Sequence, residues 1–331
     1  MKLNFPVLVF MCVMFFSCTR GISGAGVFKN EKIEPALRAS MEKMNLQVYE
    51  YLREDNYEML SQLFSDSLKS RIQPAFEQKF LPQIQKVVRG RAYKKFDDFY
   101  IKRQDPKDTI LISSGKGDNA YHLKFLVPDK EIFASMVTSG DSLNEVMITL
   151  IYVKDNGKWK ILNLMGEDYS LNRMDAIAAY KYSQKLETCG DLMDAYNIQT
   201  LSDHCMNPGG GIFTFDKAAE MRQYSDSLLA KTKARYTFPV SVSQLASKPS
   251  IFNIHYEVVD HHFAPMIMYI TTVKVSDTVE LKKENNEMQK IVGSLFTGID
   301  KYNRALLYRA YNEMPDGKND PRYYGYIQRL N

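Results

Sequence analysis

The 331-residue chain carries 43 Lys and Arg against 39 Asp and Glu, a net charge of +4, too small to imply a nucleic-acid or polyanion partner by itself. A composition of 45% hydrophobic and 25% charged residues excludes a disordered chain and promises a sizeable core. The length exceeds that of one ordinary domain, so two are expected.

Lys2 supplies a small positive charge, and residues 7–16 form an apolar run interrupted only by Cys12. That run has the length of a signal-peptide core and is too short to span a bilayer. It ends in Phe15-Phe16-Ser17-Cys18, which resembles the lipobox of bacterial lipoproteins. The resemblance implies cleavage after residue 17, acylation of Cys18 and a tether over 18–30 rich in Gly and Ser. A plain secretory signal cut near Ser17 is the alternative. Thr19-Arg20-Gly21 lacks the aspartate of inner-membrane retention. By resemblance to known sorting signals, the expected address is the outer membrane of a Gram-negative envelope, facing the periplasm. With Cys12 removed and Cys18 acylated, the folded body keeps Cys189 and Cys205, which either close a disulfide worth about 3 kcal/mol or remain buried thiols.

In residues 31–53, Ile33, Leu37, Met41, Met44, Val48 and Leu52 recur at helical spacing, predicting an amphipathic helix. A second helix is predicted over 57–68, and a further apolar face runs to Val88, with Pro74 at its start, Pro82 splitting it and Gly90 ending it. Strands are predicted over 95–103, 109–113 and 121–127, followed by a short helix over 129–136. Residues 146–164 hold the strongest local signal. Two apolar runs flank Asp155-Asn156-Gly157-Lys158, and Asn-Gly accepts positive φ at both centres of a tight hairpin turn. With that turn, Lys154 pairs with Trp159, Tyr152 with Ile161 and Leu150 with Asn163 on one face. The other face pairs Val153 with Lys160 and Ile151 with Leu162. Both faces are largely apolar, so both must be covered, by helices on one side and by sheet curled over a pocket on the other.

Helices followed by a meandering sheet and a long Asn-Gly-Lys-Trp hairpin make residues 31–168 resemble the NTF2-like cone fold. Asn172 is the expected cap of a helix over 173–188, Gly190 its stop, and 191–204 a partner helix; residues 169–211 read as a connector. Asn207-Pro208-Gly209-Gly210-Gly211 is the sharpest punctuation, so a second α+β domain is expected over 212–331. It reads as a helix over 216–236, strands over 237–243, 251–259 and 264–275, a helix over 278–296 capped by Asp277 and Glu280, and strands over 302–312 and 322–327, with a helix as the competing reading of 302–312 because Ala, Leu and Arg are common there. The element order loosely repeats that of the first half, making a duplication the hypothesis to test. The expected fold class is α+β: helices on a curved antiparallel sheet, a helical connector, and a second α+β domain with an antiparallel sheet.

No motif in the chain specifies a reaction. The candidate pocket residues are Tyr121, Tyr152 and Trp159, with Asp97, Asp98 and His122 on the same predicted strands. His255, Asp260 and His261 are weak metal candidates, because Asp260-His261-His262 also reads as a hairpin turn and the ligand spacing is poor. Lys86, Arg89, Arg91, Lys94 and Lys95 form a basic run that suits a solvated helix end or anionic lipid better than nucleic acid. No cofactor is called for. The expected function is non-catalytic binding of a small ligand or an envelope protein partner. The alternatives are a hydrolase or isomerase on the cone and a structural part of an envelope assembly.

Overall fold

The computed structural model describes residues 26–330 apart from 73–77, 79, 80, 89–91, 106–108, 128, 142, 260, 261, 302, 319 and 320. After a short strand β1 (Gly26–Lys29), helix α1 (Pro35–Arg53) starts at a proline in its first turn. The Glu34 carboxylate accepts from the amides of Ala36 and Leu37. Its predicted stripe is buried at Met41, Val48 and Leu52. The single helix expected over 57–68 is two, α2 (Tyr57–Gln62) and α3 (Asp66–Arg71). Phe64 breaks it by bridging to Ile161: the Ser65 amide donates to the Ile161 carbonyl at 2.9 Å, and the Ile161 amide to Leu63 at 2.8 Å. Helix α4 (Leu81–Val88) completes this layer; Pro74 and Gly90 lie outside the described residues.

The strands follow as β2 (Ala92–Lys102), β3 (Ile110–Ser113), β4 (Tyr121–Phe125), β5 (Glu131–Gly140), β6 (Glu145–Asp155), β7 (Lys158–Leu171) and β8 (Met174–Asp175). Residues 129–136 are therefore not a helix. Strand β5 lies between β2 and β6 with both faces buried, so Ile132, Phe133, Ala134, Met136 and Val137 are apolar without alternation, and periodicity cannot mark them as strand. The β6–β7 turn has positive φ at Asn156 and Gly157, as the dipeptide demands. Pairing follows the expected register from Asp155–Lys158 to Tyr152–Ile161 and then shifts. Leu162 bulges out, so Ile151 faces Asn163 and Leu150 faces Leu164. The bulge keeps Leu164 on the same face as Leu150 and Tyr152.

Strands β1-β2-β5-β6-β7-β8 form a curled, wholly antiparallel sheet. One face packs Ile148, Leu150 and Tyr152 against Met41, Val48 and Leu60 of the helices. The other packs Met147, Ile151 and Val153 against Ile112, Leu123 and Phe213. Those residues come from a small three-stranded sheet, β3-β4-β9, in which β9 (Phe213–Phe215) returns to pair with β4. The chain returns to β4 immediately after the glycine-rich stretch, and Ala218 and Met221 of α7 (Ala218–Arg235) enter the same core as β9.

Between these elements, Asn172 and Arg173 take positive φ in the β7–β8 turn, so Asn172 caps no helix. Asp175 does, accepting from the Ala178 amide at 2.8 Å to start α5 (Ala176–Thr188). Helix α6 (Leu192–His204) packs antiparallel to α5 across the Gly190 turn. The remaining elements are β10 (Val240–Ser241), β11 (Ser250–Val259), β12 (His262–Ile270), α8 (Thr278–Leu295), β13 (Ala305–Tyr311) and β14 (Tyr323–Arg329). They make the second large sheet, ordered β10-β11-β12-β13-β14. This sheet is mixed and not antiparallel, because α8 carries the chain over from β12 to a parallel β13. The first sheet has no such crossover, so the two strand orders are unrelated and a duplication is ruled out.

Candidate functional site

The expected pocket in the cone is filled. Tyr121 and Tyr152 lie on opposite sides of the first sheet and are 2% and 0% exposed. Tyr121 stacks on Phe213 with centroids 4.4 Å apart and donates its hydroxyl to Asp97. Tyr152 donates to Asn45 Oδ1 at 2.7 Å. Trp159 packs edge-on against Tyr100 and Phe133, beneath the Lys154 ammonium. Asp97 also receives Asn30 and Lys29, and Asp98 receives Ser135 and Lys95. These side chains serve packing and internal polar pairing, and the three aromatic candidates share no pocket.

The other candidates also separate. Cys189 is exposed and Cys205 buried, and both are free. They end α5 and α6, whose antiparallel packing sets them at opposite ends of the pair, roughly 20 Å apart along helices of this length, far beyond disulfide reach. Burial pushes the Cys205 thiol up to about 12. His255 lies on β11 beside Asn253 and Glu257; Asp260 and His261, like Cys18, fall outside the described residues. Among the described residues no three His, Cys, Asp or Glu side chains converge on a metal position. Lys94 is paired with Glu145 and Lys95 with Asp98, which neutralises the described end of the basic run. Among the described residues no helix is long and apolar enough to cross a membrane.

A cavity of about 140 Å³ opens instead where the α5–α6 pair meets the second sheet. The tip of the β11–β12 hairpin, through Tyr256 and Phe263, packs onto Leu186 and Ile198 of the helices. Met174 of β8 and Asn303 and Arg304 before β13 close the remaining walls. Asp194, in the first turn of α6, lines this cavity at 2% exposure. One carboxylate oxygen accepts from Asn303 Nδ2 at 2.8 Å, while Oδ1 has no hydrogen-bond partner. Asn303 is held by the Ile299 carbonyl at 2.9 Å and receives the Tyr256 hydroxyl at 3.5 Å. The loop after α8 reaches this position because Gly298 takes positive φ, and a Cβ there would run into the Asp191 carboxyl.

Burial raises the Asp194 carboxyl to about 7; the Asn303 bond opposes the rise, and the charges of Asp191 and Asp300 add to it. Burial also raises Asp191, whose Oδ2 is likewise without a partner. At the mouth, Nη1 of exposed Arg304 lies 3.0 Å from Nε2 of His262, in hydrogen-bond contact. An unpartnered buried carboxylate oxygen is costly unless something supplies a proton or a cation. The site therefore offers a negative floor, a positive rim and apolar walls.

Sequence reasoning passes over Asp194 because an acid in a first helical turn is what the helix dipole favours on its own. Asn303 and Arg304, in a loop more than a hundred residues away, carry no local signal. No protein-family model, curated protein or solved structure matches the chain.

Proposed function

We propose that this chain is an envelope lipoprotein, anchored through acyl chains on Cys18 to the outer membrane of a Gram-negative cell and facing the periplasm. In this role it is a non-catalytic module that holds a small ligand in the cavity between α5–α6 and the second sheet. The observation that carries the binding role is Asp194: a 2%-exposed carboxyl with one oxygen unpartnered, in the wall of a cavity that has its own rim of donors. The volume is below the 300–1,000 Å³ of drug-sized sites, so the occupant is small. Residues 31–168 are read as an NTF2-like variant, supported by helices lying on one face of a curled sheet. The face on which a cone enzyme builds its pocket is packed with Leu123, Phe213 and Phe215, which weighs against a hydrolase or isomerase.

A thermal-shift screen across sugars, nucleosides, organic acids and amino compounds tests the binding role. A ligand that stabilises the wild type but not Met174→Trp, which plugs the cavity, is expected; no stabilising ligand in any class would contradict it. Palmitate labelling that disappears in Cys18→Ser is expected for the anchor, and labelling that persists would contradict it.

One observation favours a partner-docking role as the second reading. On the second sheet, Ile267, Tyr269 and Tyr308 face α8, while Met268, Leu307, Tyr323 and Ile327 lie on the opposite face outside that core. Tyr323 and Ile327 are 50% and 46% exposed. Co-purification of an envelope protein that is lost in Ile327→Lys would support this reading, and unchanged recovery would remove it.

A further inference from the structure

The ligand class follows from the charges around the cavity. The floor is Asp194, whose Oδ1 is unpartnered, backed by Asp191 and Asp300, which both add negative potential there. A neutral hydroxyl would satisfy the hydrogen bond of Oδ1 but leave that charge uncompensated in a desolvated site. An anion would be repelled. A metal ion lacks ligands, since no three suitable side chains converge among the described residues. An ammonium group fits: it brings a positive charge and three donors, for Asp194 Oδ1 and for the Asn303 Oδ1 acceptor beside it. The rim has the opposite character. Arg304 spends one N–H on His262 and keeps the rest of its guanidinium fork at the mouth, the geometry that takes a carboxylate by two parallel bonds. Tyr182, Leu186, Ile198 and Phe263 leave an apolar wall for a side chain.

Resting on the small-ligand role proposed above, we infer that the cavity binds a small amino acid, its ammonium on Asp194 and Asn303 and its carboxylate on Arg304. The two ends of the ligand match two ends of the cavity that carry opposite charge. Neither a simple amine nor a simple acid engages both.

The test is calorimetric titration of the full-length, detergent-solubilised protein with the common α-amino acids. Each is paired with its N-acetyl derivative, which has no ammonium, and its decarboxylated amine, which has no carboxylate. At least one free amino acid of small or medium apolar side chain is expected to bind, with each of its two derivatives weaker by at least about tenfold. Asp194→Asn, which keeps the side-chain shape, is expected to remove binding. Arg304→Gln, at an exposed position where folding is not at stake, is expected to erase the advantage over the decarboxylated amine. An N-acetyl derivative that binds as well as its parent, or no binding by any amino acid, overturns the inference. If a compound of another class instead binds the wild type and is lost in Met174→Trp, only the ligand class falls and the cavity remains a binding site. Amino-acid binding that survives Met174→Trp overturns the placement in this cavity.

Discussion

The far face of the first sheet and the gap beside α6 are both enclosed spaces, and they are filled by opposite chemistry. Beyond Met147 and Ile151 the space is occupied by Leu123, Phe213 and Phe215; Tyr121 donates there to Asp97, which also takes Asn30 and Lys29, and a single small hydroxyl, that of Thr149, is among the buried groups without a partner. On α6 and at its cap, Asp191, Asp194, Asn197 and Gln199 each leave a buried side-chain atom without a partner, and of the four Asp194 lines the cavity. A chain gains stability by filling space with apolar groups and pairing what remains polar. Polar groups left unpaired in a cavity lower stability, and binding is what they are suited to. The first region holds the fold together, and the second is where a ligand would act.

The sharpest way to break this contrast is Phe213→Ala. Phe213 is 1% exposed and joins β9 to Tyr121, so truncation is expected to cost about 3–5 kcal/mol in urea denaturation. A loss below about 1 kcal/mol would mean that this side is not packed as described.

The carboxyl of Asp194 gives the next effect, with the opposite sign. Its folded value of about 7 lies above the ordinary 3.8, so below pH 4 the proton is bound in both states and costs nothing. As pH rises from about 4 to 7 the unfolded chain ionises while the folded one holds its proton, and stability falls by up to about 4 kcal/mol. The groups facing it are Asp191, Asp300, Tyr256, His262 and Arg304. Asp194→Asn is expected to remove the fall, leaving a variant more stable than the wild type at pH 7; parallel pH curves would contradict this.

Asn303→Ala sharpens the same region by stripping the one donor on Asp194. A loss of about 1–3 kcal/mol is expected in denaturant melts at pH 7, with a smaller loss at pH 4, where the carboxyl is neutral. Equal losses at both pH values would mean that Asn303 acts only through the Ile299 carbonyl. The smallest effect belongs to the cysteines. Reductant, or Cys189→Ser, is expected to leave the melting temperature unchanged, because the thiols cap opposite helix ends. A drop on reduction would reveal a bond.

What the sequence discloses follows the range of each signal. Asn156-Gly157 encodes its hairpin because positive φ is a property of two adjacent residues. Asp277 likewise caps α8 by accepting from the Glu280 amide within its own turn. The bulge at Leu162 was invisible because its cause lies elsewhere: the Ile161 backbone is claimed by residues 63–65, and the Leu162 carbonyl accepts from Arg71 at 2.9 Å. Strand β5 hid behind burial on both faces. The expectation of an open cone fails for the same kind of reason, since the residue that fills it, Phe213, follows β4 by some ninety positions and a glycine run that reads as a boundary. The candidate site was illegible for the plainest reason. Asp194 and Asn303 meet only in three dimensions, and each alone has an ordinary role at its own position.

A carbon-13 titration of the Asp194 side-chain carboxyl tests the central claim most directly. The account predicts a midpoint near pH 7 in the free protein and a fall toward the ordinary aspartate range when an ammonium ligand occupies the cavity. A midpoint of about 4 in the free protein would show a solvated or fully paired carboxylate, and the site would lose its reason to bind.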